Sequence, residues 1–286
     1  MTKRILVGVL MGMFLIGAFS GEVFANKTGN QEKSIVVCTT SVLGDFAREV
    51  GGDRIEVETI VSTGMCPAHF DIKPSDVYAV SKASLIFFHG IEPWLENLVQ
   101  ASGNEGVQKI RIKGEWDSPA AALKKVELIT KALSEYEPEN AAYFEENADG
   151  IIKSINETAK RLKEEAERLK VGQIKVICMK WQEDFVKWLG FNVVATYLPP
   201  ERLSLKQTLE LVKKGKEENI AVVVDNLQSG TKFGAKLASE VGATQVILSN
   251  FPGAIPGTKS YVKLIEYNAG QLFDAIKEKQ YGNEEN

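Results

Sequence analysis

Two histidines and three cysteines are all that 286 residues offer in the way of soft, reactive side chains. Three cysteines far apart exclude a disulfide framework, and the odd count leaves at least one thiol free or intermolecular. No glycine-rich phosphate loop, nucleophile dyad or paired acid–base site is recognisable, so the chain does not read as an enzyme. Charge of one sign is also lacking. Lys plus Arg number 34 against 38 Asp plus Glu, and this mixed, mildly acidic balance argues against nucleic acid as a partner. The long apolar run Ile5–Phe19 falls short of the roughly 20 residues a membrane-spanning helix needs.

That run reads as an address. Lys3 and Arg4 precede it, and Val23-Phe24-Ala25 supplies a small-x-small cleavage pattern, so residues 1–25 are expected to be a secretory signal peptide. A retained anchor is the alternative. No cysteine follows directly, so a lipid-modified N-terminus is not indicated. The expected location is outside the cytoplasm, in a periplasm or on the outer face of the cell membrane. Cleavage would remove two positive residues and one negative one, taking the formal charge from −4 to −5. About 260 residues would remain, enough for one large or two smaller domains.

The most telling element is central. From Pro138 to Lys170, apolar residues such as Phe144, Ala148, Ile151, Ile155, Leu162 and Ala166 recur at helical spacing and fall on one face. A rod of that length, roughly 50 Å, is too long for one small domain and should brace two. The flanks repeat each other. Ile35–Cys38 and Ile174–Cys178 are short strands ending on cysteine, each followed by a helical stretch with an Asp-Phe pair, and strands and helices alternate beyond. The expected fold is α/β: two lobes, residues 26–137 and 171–286, each with a mostly parallel sheet flanked by helices, joined by a rigid linking helix over 138–170.

In such sheets ligands bind beyond the carboxyl ends of the strands. Those ends present Cys38-Thr39-Thr40, the loop 62–69 and His89 in the first lobe. In the second they present Cys178-Met179, with Trp181 and Gln182 just beyond, and the loops containing Asp225, Asn226, Gln228 and Asn250. Cys66 and His69, three residues apart on one loop, have a spacing able to chelate a borderline or soft transition metal. The bland reading is a cysteine and a histidine that only line an apolar crevice. Cys178 alone reads equally as a buried small hydrophobe.

Several short segments, in this order, resemble the metal-binding solute-binding proteins of zinc and manganese ABC importers. They are Val37-Cys38-Thr39-Thr40-Ser41, Gly51-Gly52-Asp53-Arg54, Pro74-Ser75-Asp76, Glu92-Pro93-Trp94-Leu95, Asp117-Ser118-Pro119 and Pro138-Glu139-Asn140-Ala141-Ala142-Tyr143. The resemblance spans the expected mature chain and implies two lobes, a stiff linking helix, and a metal held between the lobes. It also implies an ABC permease and its ATPase as partners, with the capture protein expected to be a monomer. Four metal ligands are usual in the family, and this chain departs at all four places. Ala68 follows Pro67 where a histidine is usual, Gly114 stands at the second histidine, Met179 at a histidine or glutamate, and Asn250 near an aspartate.

Two readings follow. In the first, the metal site is rebuilt from Cys66, His69, Cys178 and Met179, with Cys38 or His89 in support. Zinc is then the first expectation, with copper, iron or manganese behind it, transported as the ion or as a metal complex; no organic cofactor is implied. In the second, the scaffold binds a small polar or chelated ligand through Trp181, Gln182, Asp225, Asn226 and Gln228; Thr39 and Asn250 are further candidate ligand-binding residues. A third class, a redox protein using Cys66 and Cys178 across the cleft, lacks an evident catalytic base.

Overall fold

A computed structural model describes residues 33–281; the expected leader lies outside the described residues. The first lobe runs β1 (Ser34–Cys38), α1 (Ser41–Gly51), β2 (Ile55–Thr59), α2 (Pro74–Ser81), β3 (Leu85–Phe88), α3 (Leu95–Ser102), β4 (Gln108–Arg111) and α4 (Pro119–Tyr136). A single 3-10 turn, Pro138–Asn140, leads into the linking helix α5 (Ala141–Arg168). The second lobe continues with β5 (Lys175–Met179), α6 (Glu183–Leu189), β6 (Asn192–Tyr197), α7 (Leu205–Glu217), β7 (Val222–Asn226), α8 (Lys232–Val241), β8 (Thr244–Leu248) and α9 (Tyr261–Tyr281).

The two sheets are built alike. Strand order is β2-β1-β3-β4 in one and β6-β5-β7-β8 in the other, and every pairing is parallel. Central strands covered on both faces need continuous apolar runs, which is what Val222-Val223-Val224 provides in a strand buried at every position. The chain moves outward from β1 to β2 and then returns past β1 to β3, so a switch point opens between β1 and β3. The second sheet repeats it between β5 and β7. In sheets of this kind, ligands bind beyond the strand ends at such switch points.

The linking helix has 28 residues, or roughly 42 Å. It is shorter than the periodicity suggests because Pro138 and its neighbours form a separate tight turn before the α-helical hydrogen bonding begins. Phe144, Ala148, Ile151, Ile155, Leu162 and Ala166 are buried along one stripe, and Thr158 rather than Ala159 fills the seam between Ile155 and Leu162. One apolar cluster runs from Val36 and Phe46 through this stripe to Val176, Phe185 and Ile265. Separate clusters cover the opposite face of each sheet. Helix α9 closes the second lobe yet packs on both α5 and α1, with Tyr261 against Phe46 at 5.3 Å between ring centroids. Among the described residues no helix is long and apolar enough to cross a membrane.

Candidate functional site

On the first-lobe side of the crevice, the polar side chains are largely committed to one another. Glu92 accepts from the Thr39 hydroxyl at 2.6 Å and from the backbone N–H groups of His89, Gly90 and Ile91 at 2.9, 2.7 and 2.7 Å. Four donors hold this carboxylate in a ring of N–H and O–H groups. His89 is spent as well. Its Nε2 lies 2.8 Å from Thr40 Oγ1 and its Nδ1 lies 3.2 Å from Lys125 Nζ. An ammonium can only donate, so Nδ1 accepts and the Nε2–H donates to Thr40. Burial, reinforced by the Lys125 charge, pushes the imidazole pKa well below its ordinary value and keeps it neutral. Thr39 and His89, both expected at the ligand, have their polar side-chain partners inside the first lobe.

Lys125 is the residue that sequence reasoning missed. It is fully buried on α4, and its Nζ donates to the carbonyls of Ile112 and Lys113 as well as to His89. Burial lowers its pKa to about 8, opposed by Glu115 and Glu92. The signal was available: Lys125 falls on the helical face that carries Ala122, Ile129 and Leu133. A lysine on an apolar stripe seldom lies there without a partner. Above it, His89 stacks on Trp116 at 4.3 Å, and Trp116 stacks on Phe251 of the second lobe at 6.0 Å. Lys125 Nζ is 5.4 Å from the Trp116 ring centre.

Trp116 and Thr63 tie the lobes together. The Trp116 Nε1–H donates to the Asn250 carbonyl at 3.0 Å, and Gln228 Nε2 donates to the Thr63 carbonyl at 2.9 Å. Gln228 Oε1 accepts from the Asn250 N–H, and Gln228 Nε2 also donates to Ser249 Oγ. Gln182, almost wholly buried, donates from Nε2 to Asn250 Oδ1 at 2.6 Å, while its own Oε1 is buried without a hydrogen-bond partner. Asn226 hydrogen-bonds Gln228 and Ser229. The structure thus brings Gln182, Asn226, Gln228 and Asn250 into one amide network. Trp181 stands beside it, 41% exposed.

Asp225 does not join them. It is buried, accepts from Tyr197 Oη and Gln245 Nε2, and presses on the first turn of α8, where a Cβ at Gly234 would lie 1.9 Å from Oδ2. A carboxylate at that helix start satisfies exposed N–H groups and explains the glycine opposite it. Asp225, expected at the ligand, braces the start of α8 in this structure.

The rebuilt thiol site is not assembled either. Among the described residues no group of three or more His, Cys, Asp or Glu side chains is placed to hold a metal ion. Cys178 packs in the cluster along the linking helix, and Met179, next along the strand, points to the opposite face among Tyr197 and Leu211. Burial pushes the thiols of Cys38 and Cys178 up to about 12, so both are held as protonated, unreactive thiols. All three cysteines are free, so no disulfide spans the cleft. Cys66 is half-buried at the start of the 3-10 turn Pro67–His69, His69 is exposed, and Trp94 Nε1 anchors that turn through the Pro67 carbonyl at 2.7 Å. The place of the second family histidine is shaped for glycine: Gly114 has a φ of 92°.

Comparison with known proteins places this geometry. A family model described as zinc-uptake complex component A, periplasmic, matches residues 36–275. The manganese ABC transporter substrate-binding lipoprotein scaA of Streptococcus gordonii is 28% identical over 225 residues, covering 68% of this chain and 71% of that one. The iron ABC transporter substrate-binding lipoprotein MtsA of Streptococcus pyogenes serotype M1 is 24% identical over 325 aligned residues, covering 96% and 99%. The Mn-bound periplasmic metal-binding protein of Candidatus Liberibacter asiaticus superposes with a TM-score of 0.73 at 19% identity, over 85% of this chain and all of that one. A crystal structure of ZnuA superposes with 0.72 at 20% identity, over 85% and 99%. Two parallel lobes braced by one helix, matched along nearly their whole described length, show that the chain belongs to the family of zinc-uptake complex component A.

Proposed function

We propose that this chain is the extracytoplasmic substrate-binding component of a metal ABC importer, and that it presents a metal-bearing solute to a permease and its ATPase from the crevice between the lobes. The observation that carries this reading is the pairing of the lobes. Two parallel sheets of the same order bring strand-end segments of both lobes together, where the hydrogen bonds Trp116–Asn250 and Gln228–Thr63 join them. The family is one of transport components rather than enzymes. Cys66 and His69, on the same loop as Thr63, are the soft donors left near the crevice, and they are the protein groups proposed to meet the metal. The capture protein is proposed to act as a monomer.

The test is the metal content of protein purified without chelator, by mass spectrometry, beside a Cys66→Ser/His69→Ala double variant. Stoichiometric metal in the parent and its loss in the variant support the reading. A parent without metal that gains no thermal stability from zinc, copper(I), iron or manganese salts or complexes sinks it, since a ligand of the folded form must raise the melting temperature.

A second reading, a small polar solute free of metal, is favoured by one observation. The second lobe meets the crevice with the amides of Gln182, Asn226, Gln228 and Asn250, which suit hydrogen bonding rather than coordination. A thermal-shift screen of metal-free solutes separates it from the first.

A further inference from the structure

We infer that the crevice takes its metal as a neutral or anionic complex that brings its own donor atoms, and not as a bare or hydrated cation. The inference rests on the metal reading above and names the chemical form of the solute.

Donor supply comes first. A divalent ion held between two lobes needs about four good ligands and charge neutralisation, because its hydration must be replaced in a low-dielectric site. Of the four places where the family supplies ligands, Ala68 and Gly114 have no donor side chain, and Met179 is packed in the second lobe's core. Asn250 Oδ1 is already engaged by Gln182. Cys66 and His69 supply two donors at most, and no third His, Cys, Asp or Glu joins them among the described residues.

Charge offers no substitute for donors. Glu92 is bound by four donors, and Asp117 by the N–H groups of Phe185 and Ser118. Lys125 holds a buried ammonium 5.4 Å from the Trp116 ring centre, and the Glu92 and Glu115 carboxylates face it. A free divalent cation gains little where the carboxylates are already engaged.

Recognition of such a complex is prepared. Gln182 is 1% exposed, yet one end of its amide lacks a partner. A buried unpaired amide is costly, and a polar group of the solute's organic part would relieve it. The exposed Trp181 adds a flat surface for a planar or aliphatic ligand shell.

The experiment is calorimetric titration of the full chain, freed of bound solute by unfolding and refolding. The probes are zinc chloride, zinc and iron(III) citrate, the neutral zinc–histidine complex, and citrate and histidine alone. At least one complex should bind ten-fold or more tighter than zinc chloride and than its own metal-free ligand. Gln182→Leu should weaken that binding about ten-fold with the fold intact by circular dichroism. Stoichiometric binding of zinc chloride at equal or greater affinity overturns this inference and leaves the metal reading standing. Binding of citrate or histidine alone as tightly as the complexes overturns both. Binding of no probe overturns the inference.

Discussion

Asp45 on α1 accepts a 2.6 Å hydrogen bond from the backbone N–H of Tyr261, the first residue of α9, 216 positions further along the chain. A carboxylate at a helix start is favourable, but this one is buried. Burial, with Glu49 adding to it, raises its pKa to about 7 against the opposing effects of the Tyr261 N–H and Arg48. Asp117 repeats the arrangement between first lobe and α6, accepting from the Phe185 N–H at 3.1 Å, with burial and Asp184 raising its pKa to about 6.

These shifts set a direction of pH dependence. Between about pH 4 and pH 7 the native state holds protons on Asp45 and Asp117 that the unfolded chain has released. Their contribution to stability is therefore greatest below the ordinary carboxylate pKa and is lost as pH rises through the native values. Asp45→Asn keeps an acceptor for Tyr261 and removes the titration. Relative to the parent, it should gain stability from pH 4.5 to 7.5, by at most about 1.4 kcal/mol per pH unit. Urea denaturation across that range checks it, and a constant difference between the two proteins would count against the assignment.

Thiol reactivity separates the three cysteines. Cys38 and Cys178 sit in the core with thiols held protonated, whereas Cys66 is half-buried on a loop. Ellman's reagent should modify one thiol in native protein and three in denaturant, and Cys66→Ser should abolish the native reaction. Rapid native modification of two or more would mean that Cys178 is accessible after all.

Gly234→Ala tests Asp225 as an internal brace. The added methyl would collide with the carboxylate, and overpacking of this kind costs about 1–3 kcal/mol. The expected result is a lower urea midpoint with solute affinity unchanged in the folded fraction. A selective loss of affinity at unchanged stability would return Asp225 to the binding site.

Lys125→Met removes the donor from two carbonyls and from His89 Nδ1 while keeping an apolar stem of similar length. Unpaired buried acceptors cost about 1–3 kcal/mol. Equilibrium denaturation should register a loss of that order, and a variant as stable as the parent would show that the carbonyls find other donors.

Trp116→Phe keeps a ring between His89 and Phe251 but deletes the N–H that reaches Asn250. Hydrogen exchange should quicken at residues 249–251 and leave the α5 amides unchanged. Faster exchange throughout the second lobe would instead mark a general loss of packing.

The architecture was readable because it is written in periodicity. The stripe of Phe144, Ala148, Ile151 and Ile155 allows one helical face only, and runs such as Val222-Val223-Val224 suit a strand covered on both sides. Strand β4, Gln108-Lys109-Ile110-Arg111, gave no such signal, because as an edge strand it is largely exposed. The site was less legible. Alternation puts Cys178 and Met179 on opposite faces of β5, yet proximity in sequence made them look like partners. Asp225 and Gln228 share one strand-end segment, and only the packing of α8 shows that Asp225 turns inward. Lys125 needs the position of His89, 36 residues away, before its burial makes sense.

The apolar cluster along α5 and α9 has a last consequence. It passes without a break from the first sheet to the second, so neither lobe owns a complete interior. Cutting the chain between α4 and α5 should not yield two independently folded halves, and heat or urea should melt the protein in a single cooperative transition rather than lobe by lobe. Any solute that bridges the crevice then stabilises the entire chain as one thermodynamic unit.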